Sequence, residues 1–195
     1  MKAIFIAAGE GSRMGKLTID SPKPLIEVNG RSILERQVSL LKKSGITEIL
    51  IITGPFPDKY NFKNLSYLND KNFKNHDQLG SLCVATNEIH DDVLIIFADI
   101  IFDELILEQV CKNNSDVVIA VDMDWEKYNA RNQNPISDAD KVTIDNNTVK
   151  RIFKQNIWRC KWLRRYGGPK KYFCSKSLRT SHGSNNWSSS CSIYS

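Results

Sequence analysis

Four runs of apolar residues lie in the first 121 residues, and each is followed directly by glycine or aspartate. Continuous runs of this length predict strands that are buried on both faces of a sheet. They cover residues 2–8, 48–53, 93–98 and 116–121, and a shorter run at residues 65–68 indicates a further strand. Two later runs, residues 142–145 and 148–153, flank Asn146-Asn147 and predict a hairpin.

Segments with helical spacing alternate with these strands. Ser32-Ile33-Leu34-Glu35 has the S-x-x-E form of a capping box, and the helix that it begins is predicted to end at Gly45. A second helix is predicted over residues 78–89, and a third runs from its cap at Asp103 to residue 112. This alternation predicts a three-layer, Rossmann-like α/β fold, with a mainly parallel sheet and helices on both faces.

Length and composition favour a globular protein in the cytoplasm. The chain has 195 residues, of which 41% are hydrophobic and 25% are charged. Its apolar runs are shorter than the about 18 to 20 residues that a membrane span needs, so we expect no membrane partner. The apolar stretch at residues 3–8 is too short for a secretory signal. Five cysteines without a CxxC pair argue against a disulfide framework and a zinc site.

The loop after the first predicted strand combines small and basic residues. It reads Ala8-Gly9-Glu10-Gly11-Ser12-Arg13-Met14-Gly15, and Ser21-Pro22-Lys23-Pro24-Leu25 follows. Small residues allow backbone N–H groups to approach phosphate oxygens. Arg13 adds a planar fork, and Lys23 adds a point charge on a backbone stiffened by two prolines. We therefore predict a phosphate-binding loop, with an ordinary glycine-rich turn as the alternative.

Two common phosphate motifs do not match this loop. In the dinucleotide fingerprint G-x-G-x-x-G the third glycine would come one residue earlier than Gly15. That fingerprint also needs an acidic residue after the second strand, where this chain has Gly54. A Walker loop would need G-K-[ST], which does not follow here.

AAGEGSRMG and SPKPL together resemble the signature of the nucleotidyltransferases that make nucleotide-activated sugars and alcohols, the family with the MobA-like NTP-transferase fold. Within that family the chain is most similar to the phosphocholine and 2-aminoethylphosphonate cytidylyltransferases. Residues 77–82 (DQLGSL), 98–102 (ADIIF) and 138–142 (DADKV) support this similarity. The resemblance covers residues 1–156.

The resemblance implies transfer of a nucleoside monophosphate, expected to be CMP from CTP, to a phosphate or phosphonate oxygen, with release of pyrophosphate. Arg13 and Lys23 would be catalytic, because they would stabilise charge on the α-phosphate and the leaving pyrophosphate. Asp99 would bind Mg²⁺ as the cofactor, and a cap for the next turn is its alternative. The residues that would contact the nucleotide are Ala7, Ala8, Gly9, Gly11, Ser12, Gln78 and Ser81, and a plain helix start is the alternative for the last two.

An acceptor such as phosphocholine or 2-aminoethylphosphonate would be bound towards the end of the matched region. The expected residues are Asp122, Trp125, Tyr128, Arg131, Lys141 and Lys154. An acid beside an aromatic face suits an ammonium group, whereas exposed loops and a solvated face are the alternatives. A sugar-1-phosphate nucleotidylyltransferase, or a nucleotide-binding remnant without turnover, would carry the same phosphate loop.

Residues 157–195 differ from the rest of the chain. They contain eight Lys or Arg and no Asp or Glu, whereas residues 1–156 contain 19 Lys or Arg and 22 acids. The Gly-Glu pair and the second acidic metal ligand that the family has there are absent. We therefore expect a C-terminally truncated NTP-transferase domain at residues 1–156, followed by a basic tail. A change of reading frame near residue 156 would explain this; a disordered tail and a nucleic-acid-binding arm are the alternatives.

Overall fold

The computed structural model describes residues 1–123, 141–153, 171–174 and 191–194. The chain divides into two compact units, Met1–Glu104 and Leu105–Ser195. Within the described ranges no helix is long and apolar enough to cross a bilayer. The domain boundary predicted after residue 156 stays a prediction.

The first unit contains four parallel strands, a small hairpin and two α-helices. In chain order these are β1 (Lys2–Ala7), β2 (Glu27–Val28), β3 (Arg31–Ser32), α1 (Ile33–Lys43), β4 (Ile49–Thr53), β5 (Ser66–Asn69), α2 (Gln78–Cys83) and β6 (Val93–Phe97). Short 3-10 helices cover Ser12–Thr18, Lys23–Leu25, Pro57–Lys59 and Thr86–Glu88.

The sheet of this unit has the order β6-β1-β4-β5, and all neighbouring strands are parallel. Phe5 in the central strand is level with Ile51 on one side and Ile96 on the other. Every residue of β4 and β6 is buried, as expected for strands that are covered on both faces. The parallel sheet predicted from the apolar runs is therefore confirmed, and it brings the carboxyl ends of β1, β4 and β6 to one edge.

Helix α1 has both of its predicted ends. The Ser32 hydroxyl accepts a hydrogen bond from the Glu35 N–H at 3.1 Å, which confirms the N-cap. At the other end, Gly45 has a φ of 82°, and the Ile46 N–H donates to the Leu41 carbonyl at 2.9 Å. This left-handed C-terminal cap explains why the helix ends before Gly45.

Three local features differ from the predicted elements. The segment predicted as one loop, residues 9–25, contains the 3-10 turns at Ser12–Thr18 and Lys23–Leu25. The helix predicted over residues 78–89 ends at Cys83, where the Val84 and Ala85 N–H groups donate to the Ser81 and Leu82 carbonyls, three residues back, at 3.2 and 2.9 Å. The β2–β3 hairpin was not predicted, although Asn29-Gly30 is a strong turn signal and both residues have positive φ.

The second unit contains one more predicted strand and the predicted hairpin. Its elements are α3 (Glu104–Lys112), β7 (Val117–Asp122), β8 (Lys141–Asp145), β9 (Thr148–Phe153), β10 (Lys171–Cys174) and β11 (Cys191–Tyr194). β7 pairs in parallel with β10 and antiparallel with β11, so two short strands come from the segment predicted as a tail. Asn146 and Asn147 have φ values of 48° and 60°, which confirms the tight turn between β8 and β9.

Candidate nucleotide site

The predicted phosphate loop is folded back on itself by Thr18. The buried Thr18 hydroxyl donates to the Gly11 carbonyl at 2.9 Å and lies 3.3 Å from the Gly15 carbonyl. Gly11 has a φ of 67°, which L-residues rarely adopt. A Cβ at Gly11 would also lie only 3.0 Å from Thr18 Cγ2, so glycine is needed for both space and conformation.

The start of the loop is held by contacts that the sequence analysis did not predict. The Tyr60 hydroxyl lies 3.3 Å from the Ala7 carbonyl and donates to it, and burial raises the pKa of this hydroxyl so that it keeps its proton. Gly54, the first residue after β4, lies so close to Ala8 that an added Cβ would be 2.3 Å from the Ala8 carbonyl oxygen. The Asn69 amide donates to the Gly54 carbonyl at 3.0 Å, which holds this glycine in place.

Lys23 and Asp99 form an ion pair at this edge of the sheet. Lys23 Nζ lies 2.7 Å from Asp99 Oδ2, and the two side chains are 32% and 21% exposed. Lys23 also lies beside the loop, because a Cβ at Gly11 would be 3.5 Å from Lys23 Cβ. Asp99 follows β6 by two residues, and the Ala98 N–H donates to the Ile6 carbonyl of β1 at 3.2 Å. Two of the predicted residues, 76 positions apart, therefore meet next to the loop.

The remaining predicted nucleotide contacts lie in two places. Ala7 and Ala8 are buried at the end of β1, and Gly9 and Ser12 are exposed. Arg13 belongs to the 3-10 turn Ser12–Thr18. Gln78 is exposed at the start of α2, whereas the Ser81 hydroxyl points inward and donates to Asp70 Oδ2 at 2.8 Å.

Asp70 is a buried carboxylate whose role the sequence analysis missed. Its side chain is 1% exposed and receives hydrogen bonds from Ser81 Oγ, from His76 Nδ1 at 3.0 Å and from the Asn72 N–H at 3.0 Å. Burial raises the pKa of the Asp70 carboxyl, but the bonds from Ser81, His76 and the Asn72 N–H outweigh burial and lower the pKa below its usual value. This network fixes the segment that precedes α2.

The lowered pKa of Asp70 predicts a specific acid sensitivity. Its stabilising contribution is complete above the unfolded-chain value of 3.8 and is lost as the pH falls through the lower folded-state pKa. Between pH 5 and about pH 2.5 we therefore expect the urea midpoint of the wild type to fall more than that of Asp70→Asn, because the variant lacks this carboxylate. Parallel pH profiles for the two proteins would contradict this assignment.

The residues predicted to bind an acceptor are only partly described. Asp122 is the last residue of β7 and is half-buried, and Lys141 is the first residue of β8. Trp125, Tyr128, Arg131 and Lys154 lie outside the described residues. Their roles therefore stay predictions.

A parallel sheet with this loop and ion pair at the carboxyl ends of its strands is typical of nucleotide-handling α/β proteins of the Rossmann-like class. Residues 3–155 match the MobA-like NTP transferase domain, and the chain therefore belongs to that family, as the motifs predicted. Over 172 residues it is 30% identical to CTP:phosphoglutamine cytidylyltransferase of Campylobacter jejuni, a match that covers 80% of this chain and 66% of that enzyme.

Two further comparisons involve Streptococcus pneumoniae. The chain is 33% identical over 100 residues to its choline-phosphate cytidylyltransferase, which covers 49% of this chain and 43% of that enzyme. The solved structure of its CTP:phosphocholine cytidylyltransferase matches with a TM-score of 0.62 at 22% identity, covering 78% of this chain and 63% of that one. This likeness confirms the predicted fold class. The chain spans 43% to 66% of the length of these three relatives.

Nucleotidyltransferases of this family commonly use a divalent metal ion. Within the described ranges, no group of three or more His, Cys, Asp or Glu side chains is arranged to hold a metal. Mg²⁺, however, usually takes one or two carboxylates and completes its shell with water and substrate phosphates. A partly exposed carboxylate beside a residue of the predicted phosphate loop, as Asp99 is beside Lys23, fits that mode of binding.

Proposed function

We propose that this chain transfers CMP from CTP to a small phosphate or phosphonate acceptor, with release of pyrophosphate. The observation that carries the proposal is the Lys23–Asp99 pair at 2.7 Å, in which the Cβ of Lys23 lies beside Gly11 of the predicted phosphate loop. A cation beside a glycine-rich backbone suits a triphosphate, and a carboxylate next to both suits the metal ion that accompanies it. The cytidylyltransferases among the relatives support CTP as the nucleotide.

In the proposed reaction an anionic oxygen of the acceptor attacks the α-phosphorus of CTP. The bond from that phosphorus to the bridging oxygen breaks, and pyrophosphate leaves. Because the attacking oxygen is already an anion, no side chain has to remove a proton, and the work of the protein is positioning and charge neutralisation. Lys23 would supply positive charge to the phosphates, and Arg13, on the same loop, would supply a second cation.

Asp99 is the residue that would hold Mg²⁺. When bound, the ion would neutralise charge on the phosphate oxygens of the nucleotide. In the structure the cation beside Asp99 Oδ2 is the Lys23 ammonium. Asp99 therefore holds one cation already, and we propose that Lys23 turns to the phosphates when a nucleotide binds.

The acceptor is proposed as a small molecule that carries a phosphate or phosphonate group. Phosphocholine, 2-aminoethylphosphonate and, from the relative that is 30% identical, phosphoglutamine are the first candidates. The expected acceptor residues, Asp122 among them, remain predictions from the family resemblance. Gln78, exposed at the start of α2, is proposed to meet the pyrimidine edge.

A pyrophosphate-release assay tests this function. CTP, UTP, dTTP and ATP are each combined with the three candidate acceptors and with glucose 1-phosphate, in the presence of Mg²⁺. We expect release with CTP and one of the candidate acceptors. Turnover of glucose 1-phosphate with dTTP or UTP would instead identify a sugar-1-phosphate nucleotidylyltransferase, and nucleotide binding without release would identify a non-catalytic remnant.

A further inference from the structure

Gln37 is a buried polar residue on the apolar face of α1. The other buried residues of this helix are Leu34, Val38 and Leu41, and Gln37 is only 2% exposed. Moving an amide from water into a protein interior is unfavourable unless hydrogen bonds replace those to water. The position of this side chain therefore calls for a reason other than packing.

The Gln37 amide binds the turn that carries Asp99. Nε2 lies 3.3 Å from the Phe97 carbonyl and also donates to the Ile100 carbonyl. These two carbonyls flank Asp99, and the turn between them is closed by the Ile100 N–H, which donates to the Phe97 carbonyl at 3.2 Å. Because carbonyl oxygens only accept, the NH₂ end of Gln37 must face the turn.

The other end of the same amide is not satisfied. Gln37 Oε1 is buried and has no hydrogen-bond partner among the described residues. An apolar side chain of similar size would remove the unsatisfied oxygen, but it would leave the Ile100 carbonyl without the Gln37 donor. The feature that glutamine adds is its pair of N–H donors on the carbonyls around Asp99.

We infer that Gln37 is a positioning residue, which fixes the Phe97–Ile100 turn so that the Asp99 carboxylate points at Lys23 and the phosphate loop. The inference rests on the proposed function and deepens it, because it assigns to α1 a part in orienting the carboxylate that would hold the metal ion. Residues that orient a metal-binding or catalytic group typically change metal affinity or activity about 10- to 100-fold when they are replaced.

The test compares Gln37→Met, which keeps the volume but has no N–H donor, with Val38→Ala, which disturbs the same helix without contacting the turn. For Gln37→Met we expect faster hydrogen exchange at the amides of residues 98–100 and about tenfold weaker Mn²⁺ binding in the presence of CTP, measured by electron paramagnetic resonance. The Mg²⁺ concentration for half-maximal pyrophosphate release should rise similarly, with an unchanged KM for the acceptor. Val38→Ala should lower stability but leave the hydrogen exchange of residues 98–100, the Mn²⁺ affinity and the Mg²⁺ requirement unchanged.

The inference is overturned if the two variants show the same exchange and the same Mn²⁺ affinity. If Gln37→Met does not fold, NMR of the wild type tests the inference instead. The side-chain NH₂ protons of Gln37 should exchange slowly with solvent, and their resonances should shift when Mg²⁺ and CTP are added. Rapid exchange, or the absence of a shift, counts against the inference. If the wild type releases no pyrophosphate with any substrate, the proposed function fails, whereas exchange and Mn²⁺ binding still report on Gln37.

Discussion

Asp99→Asn is expected to lower the kcat of nucleotidyl transfer about 100-fold, the lower end of the range for losing one group that stabilises developing charge. Asparagine keeps the shape of the side chain but removes the negative charge that lies 2.7 Å from Lys23 Nζ. Without that charge the turn after β6 no longer attracts a cation, and Lys23 loses the partner that holds it against the loop. Steady-state pyrophosphate release measures the effect.

A matched control is available at the amino ends of the strands in the same sheet. Glu88 Oε2 lies 2.8 Å from Lys2 Nζ, so Glu88→Gln also breaks a lysine–carboxylate pair. Lys2 is the first residue of β1, at its amino end, and this pair is far along the strand from the loop. We expect Glu88→Gln to keep kcat within about twofold of the wild type, since surface ion pairs contribute little. Equal losses in the two variants would show that Asp99 has no special part in the reaction.

Gly54→Ala is expected to lower the free energy of unfolding by about 3 kcal/mol, the upper part of the usual range for overpacking. The added Cβ would lie 2.3 Å from the Ala8 carbonyl oxygen and 2.8 Å from Ala8 Cα. These are backbone atoms and cannot turn away as a flexible side chain would. Because Asn69 holds Gly54, we expect the strain to move Ala8, at the start of the predicted phosphate loop. Urea denaturation gives the loss of stability, and a titration with CTP gives the effect on the loop.

Gly9→Ala is the control for this prediction. A Cβ at Gly9 would meet no atom within 4 Å, so we expect the unfolding free energy to change by no more than about 0.5 kcal/mol. Because the Gly9 backbone is proposed to face the phosphates, the same variant should nevertheless bind CTP more weakly. A Gly54→Ala protein as stable as Gly9→Ala would show that the contact between Gly54 and Ala8 is not tight.

The elements of the fold were predictable where residues close together in the sequence determine them. The runs that became β4 and β6 are fully buried, and a fully buried strand leaves an uninterrupted apolar signature. The Ser32 cap and the Asn146-Asn147 turn were predictable because each depends on neighbouring residues only. The break after Cys83 was not, because the helical spacing continues in the sequence whereas the Val84 and Ala85 N–H groups change to carbonyls three residues back.

The candidate site was predictable in part. Motif residues placed Lys23 and Asp99 in one site, and the structure brings them to 2.7 Å. The groups that support them were missed, because Gln37, Tyr60 and Asn69 have no motif of their own. Gln37 and Ile100 are 63 positions apart, and Tyr60 and Ala7 are 53 apart, so their contacts exist only once the strands have been ordered in the sheet. Of the three, only Gln37 carries a signal in the sequence, as a polar residue at helical spacing with Leu34, Val38 and Leu41.

A titration with CTP in the presence of Mg²⁺ tests the central claim most directly, with the wild type and Lys23→Met compared by calorimetry. If the loop and Lys23 hold the triphosphate, the wild type binds CTP and Lys23→Met binds it about 10- to 100-fold more weakly, as expected for losing one charged hydrogen bond to phosphate. The same dissociation constant for both proteins would contradict the assignment of this loop as the nucleotide site.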